Sequence, residues 1–115
     1  MPHGDRRRTI SDGTAVGDYL QLTVNVAQAG TYDVRYGTKQ FDNRAIVQLS
    51  VNGANAGTPR DEYAPTGTGI FKEYDLGAVT FEAPGNYTFK FRAIGHNASS
   101  TGYTVVVDYV KLFRQ

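Results

Sequence analysis

Cysteine and tryptophan are absent from this 115-residue chain, and methionine occurs once. Without cysteine there is no disulfide, no thiol catalysis and no thiolate metal site. The compartment stays open, because a domain of this size folds without covalent staples. Charge of one sign is also lacking: twelve Lys and Arg face eleven Asp and Glu, a formal net charge of +1. Arg6, Arg7 and Arg8 sit together beside Asp5, so from Thr9 onward nine bases oppose ten acids. Such a balance offers no footprint for nucleic acid, whose backbone demands clustered positive charge. No apolar run approaches the roughly 20 residues that span a bilayer. The stretch from Met1 to Ile10 is polar and lacks the apolar centre of a signal peptide. The expectation is a soluble domain, or a piece of a longer chain whose targeting signal lies elsewhere. Helical periodicity is missing too, with no useful window showing apolar residues at i, i+3, i+4 and i+7.

What is present is glycine, tyrosine and phenylalanine, at thirteen, eight and six residues, arranged in period-two alternation. Leu20, Leu22, Val24 and Val26 alternate with Tyr19, Gln21, Thr23 and Asn25, the mark of a strand with one face buried. After a turn at Gln28-Ala29-Gly30, Tyr32, Val34 and Tyr36 share a face opposite Asp33 and Arg35. A strand from Ala45 to Val51 ends at Asn52-Gly53, a pair suited to a tight hairpin. Residues 54–69, with their glycines and prolines, read as a long loop. Strand signals resume from Ile70 to Phe81, turn at Pro84-Gly85-Asn86, and continue through Tyr87, Phe89, Phe91 and Ala93. A polar loop, GHNASSTG, precedes a last strand from Tyr103 to Phe113, whose Val105, Val106 and Val107 predict cover on both faces. Short strands punctuated by turns predict one all-β domain, an antiparallel β-sandwich. Residues 15–115 form that domain, and residues 1–14 read as a flexible or partial N-terminal segment.

The chemistry on offer is thin for an enzyme. His96 has Ser99 and Ser100 nearby in sequence, but adjacency within one loop is not triad geometry. Asp61 and Glu62 are neighbours whose side chains diverge in extended structure, which leaves Asp42, Asp61 and Asp75, if the loops bring them together, as the carboxylates of a small glycan-active enzyme. The chain is read as non-catalytic. Asp12, Asp18 and Asp108 are hard oxygen ligands of the kind calcium prefers, or hydrogen-bonded structural acids. Asp108, flanked by Val107 and Tyr109, needs a partner if buried. Sugar binding asks for less: a ring to stack on a pyranose and a few fixed polar groups. Tyr36, Lys39, Gln40, Phe41, Asp42, Asn43 and Arg44 lie between two strands. Arg60, Asp61 and Tyr63, then His96, Asn97 and Tyr103, come from later loops. Lys39 and Arg44 suit the carboxylates of an acidic polysaccharide. Tyr32, Phe81, Tyr87, Phe89 and Phe91 are expected in the core, and Tyr36 is in phase with Tyr32 and Val34. Tyr63, in a Gly- and Pro-rich loop, is the better ligand candidate.

The stretch GDYLQLTVNVAQAGTYDVRYGTK resembles the opening half of bacterial carbohydrate-binding modules of the galactose-binding-like β-sandwich type. RAIVQLSVNGANAG, DEYAP, YDLGAVTF, GNYTFKFRAIGHNASSTGYT and VVVDYVKL follow in the order those modules show. The likeness, over residues 17–113, is to modules appended to polysaccharide lyases and glycoside hydrolases, including xanthan-degrading enzymes. It implies a jelly-roll-like sandwich and a non-catalytic module that targets an appended catalytic domain to its polysaccharide, raising the effective concentration there. It also implies a secreted or cell-surface bacterial parent and a structural calcium, with Asp108 matching a late aspartate near that metal; Asp18 is the second candidate ligand on its chemistry alone. Lys39, Arg44, Asp61, Tyr63, His96 and Asn97 fall in matching segments and are the expected ligand contacts, or clamps that hold loops. Two departures stand out. The N-terminal segment contains no Glu where related modules carry one for the metal, and no Trp is available as a sugar platform. The alternative is a structural or adhesive module that packs against a neighbouring domain, with Tyr19, Gln21 and Thr23 as its surface.

Overall fold

The computed structural model describes residues 3–5, 9–11, 15–65 and 69–115. Among these residues ten strands run in chain order: β1 (His3–Asp5), β2 (Thr9–Ser11), β3 (Tyr19–Val26), β4 (Gly30–Gln40), β5 (Ile46–Val51), β6 (Ala54–Asp61), β7 (Ile70–Phe81), β8 (Gly85–Gly95), β9 (Val105–Val107) and β10 (Tyr109–Arg114). No helix occurs among the described residues. One sheet has the order β1-β10-β4-β7, the other β3-β8-β5-β6, and β2 pairs with β9 alone. Every pairing between named strands is antiparallel. The result is the expected all-β sandwich.

Alternation decides which faces meet. In β3 the pattern is strict, with Leu20, Leu22, Val24 and Val26 buried and their neighbours exposed. Tyr32, Val34 and Tyr36 of β4 turn inward from the opposite sheet, and Phe89, Phe91 and Ala93 of β8 face them. Rings join the layers: Tyr36 lies 5.0 Å from Phe91, and within the first sheet Tyr32 lies 5.7 Å from Phe81. Tyr87 packs edge-on against Phe81 at 4.7 Å but is only partly buried. Val105, Val106 and Val107 are all buried, because β9 contacts both β4 and β8. Burying a side chain of this size contributes roughly 1.5–3 kcal/mol, so these residues dominate the fold.

Two expectations change. Residues 54–61 are not loop but an edge strand paired with β5. The strand is hidden in the sequence because it buries only Ala56 on its inner face, so it has no apolar alternation to show. An edge position also accommodates Pro59, which has no N–H to give a ladder. The last strand is interrupted at Asp108, where the chain leaves β2 and joins β4. In the N-terminal segment, β1 pairs with β10 and β2 with β9. Residues 1, 2, 6–8 and 12–14, including the candidate ligand Asp12, lie outside the described residues.

On the outer face of the first sheet Gly37 has a clear purpose. A Cβ there would stand 2.2 Å from the Tyr109 ring. The ring lies across the bare backbone, and its hydroxyl donates to Glu73 Oε1 at 2.8 Å. Lys111 reaches the same oxygen at 3.1 Å, and Arg35 stands 3.6 Å from both Glu73 and Asp75. The Tyr109 bond, with Lys111 and Arg35, holds the Glu73 carboxyl below its ordinary 4.5.

Candidate functional site

Three connections meet at one end of the sandwich: residues 41–45 between β4 and β5, 62–65 following β6, and 96–104 between β8 and β9. The first is the hub. Phe41 N donates to Glu62 O, Ala64 N donates back to Phe41 O, and Phe41 and Tyr63 form a parallel bridge. On the other side Thr104 N donates to Asn43 O, Thr101 N to Asp42 O, and Ala45 N to Thr104 O. Backbone groups that loops usually give to water are thus paired with one another, and the three segments form a single laced edge.

Side chains tighten it. Asp61 Oδ1 accepts from Tyr63 N at 3.0 Å, a local turn of the sort aspartate favours. Its Oδ2 accepts from Asn97 Nδ2 at 3.0 Å, tying the end of β6 to the third connection. Asn97 Oδ1 in turn accepts from Ser99 N. Arg44 Nε donates to Lys39 O at 2.9 Å, and its Nη1 bonds Asn43 Oδ1. Its guanidinium carbon stands 5.7 Å from the Phe41 ring centre. The Lys39 ammonium lies 5.5 Å from the centre of the Phe71 ring. The Lys39 stem fills the place a Cβ on Gly69 would take. His96 is exposed, meets Tyr103 edge-on at 4.8 Å, and holds Asn97 O through Nδ1.

All six expected ligand contacts lie at this end, but not as one cluster. Asp61 touches Tyr63 and Asn97 directly, Arg44 touches the Lys39 carbonyl, and His96 joins through the Asn97 backbone. Asp61, Asn97 and Arg44 spend hydrogen bonds on shaping loops, whereas Lys39 and Tyr63 join this lacing through their backbone groups. Phe71 escaped the sequence reading and is 67% exposed. Its signal was its phase: it alternates with Lys72 and Tyr74 and shares the outward register of Glu73 and Asp75.

Glu62 is the other residue that escaped. It points away from Asp61, into the sandwich, and is fully buried. Tyr36 donates to its Oε2 at 2.8 Å and Val106 N to its Oε1 at 3.2 Å. Burial pushes its carboxyl from 4.5 up to about 8; the Val106, Tyr36 and Thr38 groups and the Arg44 charge pull the other way. The Thr38 hydroxyl is near enough to act on it, yet is buried without a hydrogen-bond partner of normal geometry. A neutral acid has one proton to donate, and Thr38 Oγ1 is an acceptor at hand. Burial, then the Glu62 charge, raises the Tyr36 hydroxyl well above its ordinary 10.

The His96, Ser100 and described aspartate side chains weighed in the sequence each have other partners. Ser100 Oγ donates to Arg44 O at 2.7 Å, and the His96 Nδ1 contact is to Asn97 O, so no Ser–His pair forms between them. Asp18 Oδ2 accepts from Ala15 N, and Asp108 N donates to Gly37 O. Among the described residues no three acidic or histidine side chains converge as a metal cage. Asp18 and Asp108 alone do not complete the calcium site that the resemblance implies.

No known family profile matches the sequence, and no curated protein matches it either. Solved structures do. Over 100% of its length the chain superposes on a segment of a xanthan lyase from Paenibacillus, with 32% identity and a TM-score of 0.85. It spans only 12% of that enzyme. A family 35 carbohydrate-binding module from Clostridium thermocellum matches over 99% of this chain and 92% of its own, at 20% identity and a TM-score of 0.60. A GH26-CBM35 β-(1,4)-mannanase from Podospora anserina matches over 99% of this chain and 28% of its own, at 14% identity and a TM-score of 0.64. The chain is therefore an antiparallel β-sandwich, similar in sequence to a segment of a xanthan lyase and sharing its fold with a family 35 carbohydrate-binding module.

Proposed function

We propose that this domain is a non-catalytic carbohydrate-binding module that holds an attached polysaccharide-degrading enzyme at its substrate, with the laced loop end as the contact surface. The observation that carries this reading is the pairing of rings with cations there: Arg44 over Phe41 and Lys39 over Phe71. Lys39 makes no salt bridge to a described residue, so its charge is available to a carboxylate. Rings for sugar faces and ammonium or guanidinium groups for carboxylates favour an acidic polysaccharide. The xanthan lyase relative makes xanthan the first glycan to try. On this reading the parent is secreted or displayed at the cell surface, and Asp108 with Asp18 contributes to a calcium site. The domain would add residence at the substrate rather than chemistry.

Native affinity electrophoresis tests it, through gels containing xanthan, alginate, pectin, xylan or no glycan, each with and without EDTA. Retardation by an acidic glycan, reduced in Lys39→Ala and Tyr63→Ala at unchanged thermal stability, is the expected result. Loss of retardation with EDTA brings calcium into the account. Free migration in every gel favours the alternative, a module that packs on a neighbouring domain. That alternative has its own observation: Tyr19 is 49% exposed on the outer face of β3, with the Lys90 ammonium 4.0 Å from its ring centre.

A further inference from the structure

A concavity lies toward the end of the sandwich away from the laced loops. Edge strands β6 and β7 belong to different sheets, and the seam between them is closed at one point by glycine. Gly57 has a φ of +69°, and a Cβ there would meet Leu76 O at 2.8 Å. Beyond that contact the strands part around a cleft of about 300 Å³. Ala54, Ala56, Gly57 and Ala78 supply small walls, and Val51, Val79 and Tyr87 supply apolar surface. Asn52, Asn55 and Thr80 are the polar residues of the lining; the Thr80 hydroxyl pairs with that of Thr31 at 2.9 Å, which leaves the asparagine amides and the strand backbones as the polar groups of the cleft.

None of the lining residues is charged. The laced end by contrast carries Lys39, Arg44 and Asp61. Both bordering strands are sheet edges, each paired on one side only, so backbone donors and acceptors along the seam add to the polar groups there. The shape argues against an added peptide strand. From Ala54 to Gly57 the β6 edge is four residues long, and the positive φ at Gly57 bends it. Apolar walls, a ring and uncharged hydrogen-bonding groups fit a compact, uncharged polyol ring. The volume sits at the lower bound of ligand sites, about 300–1,000 Å³.

We infer that the β6–β7 cleft is a second binding site, selective for a neutral sugar unit and independent of the loop end. Titration followed by amide NMR tests it on the whole chain, with cellohexaose and mannohexaose as neutral probes and hexagalacturonate as the acidic one. A neutral probe is expected to shift the Asn55, Ala78 and Thr80 amides saturably, with a Kd on the order of 1 mM, as for one ring held by few bonds. Ala54→Leu and Ala78→Leu fill the cleft from exposed positions and should weaken that binding at least about tenfold while the melting temperature holds. Shifts at these amides that persist unchanged in both variants overturn the inference. So does their absence with both neutral probes, and the loop-end reading would survive that result. Cleft shifts without any loop-end response to the acidic probe would leave the second site standing and remove the first.

Discussion

Replacing Glu62 by glutamine should make the protein more stable at pH 8 and nearly unchanged at pH 5. In the unfolded chain the carboxyl releases its proton near 4.5, but in the folded protein it keeps it to about 8. Between those values the folded state binds the extra proton, so stability falls as pH rises, then levels off above about 8. Full stability from this group is present below 4.5. The interval is about 3.5 pH units, and at about 1.4 kcal/mol per unit the ceiling is about 5 kcal/mol. Against a typical domain stability of about 5–15 kcal/mol that is a large fraction. Even half of it moves the melting temperature by roughly 10 °C in a domain of this size. The glutamine would stand in for the neutral acid, its carbonyl accepting from Val106 N and its amide donating toward Thr38 and to the Tyr36 hydroxyl, which turns from donor to acceptor. Thermal melts of both proteins from pH 5 to 9 provide the test, and their difference isolates Glu62. The Glu73 carboxyl, held low, acts only below this window: its contribution is present above 4.5 and is lost as pH falls through its folded value. Parallel curves for the two proteins, or a wild-type stability that rises from pH 5 to 8, would refute the reasoning.

Other perturbations follow from single contacts. Gly37→Ala forces the Tyr109 ring off the backbone and should cost about 1–3 kcal/mol in urea denaturation; adding Tyr109→Ala should recover part of the loss, and strict additivity would contradict the packing described. Phe91→Ala removes a fully buried ring between the sheets and should cost about 3–5 kcal/mol by the same assay. Asp61→Ala releases both Tyr63 N and Asn97, so amide hydrogen exchange should quicken in 62–65 and 96–100 but not in β3; uniform quickening would mean global destabilisation instead.

The sandwich was legible because its strands bury one face each. β3 displays its alternation without exception, and β8 nearly so. β6 was illegible for the opposite reason: an edge strand that buries one alanine carries no hydrophobic period to read. Asp108 as a break between two strands was equally hidden, since Val105 to Phe113 is otherwise uninterrupted in strand-forming character. At the loop end, residue types announced a polar, aromatic surface, but not which groups were spent on architecture. Arg44 and Asp61 read as ligand contacts in sequence, and their hydrogen bonds to Lys39 O, Tyr63 N and Asn97 depend on how the connections close on one another. Glu62 gave no warning, because a charged residue one position from another is ordinarily solvated. Only the closed fold puts Tyr36, Thr38 and Val106 around it.

The pairing of β1 with β10 sets His3 opposite Leu112, while β10 runs from Gly37 toward Tyr32, away from the laced loops. These two strands thus lie side by side, and β10 heads for the end opposite Tyr63 and His96. Any polypeptide joined through β10 would leave from behind that surface, like the stem of a cup whose rim faces outward. In such an arrangement a host protein could accept the domain as a plug-in with its rim unobstructed, and lengthening the stem would change reach without reshaping the rim.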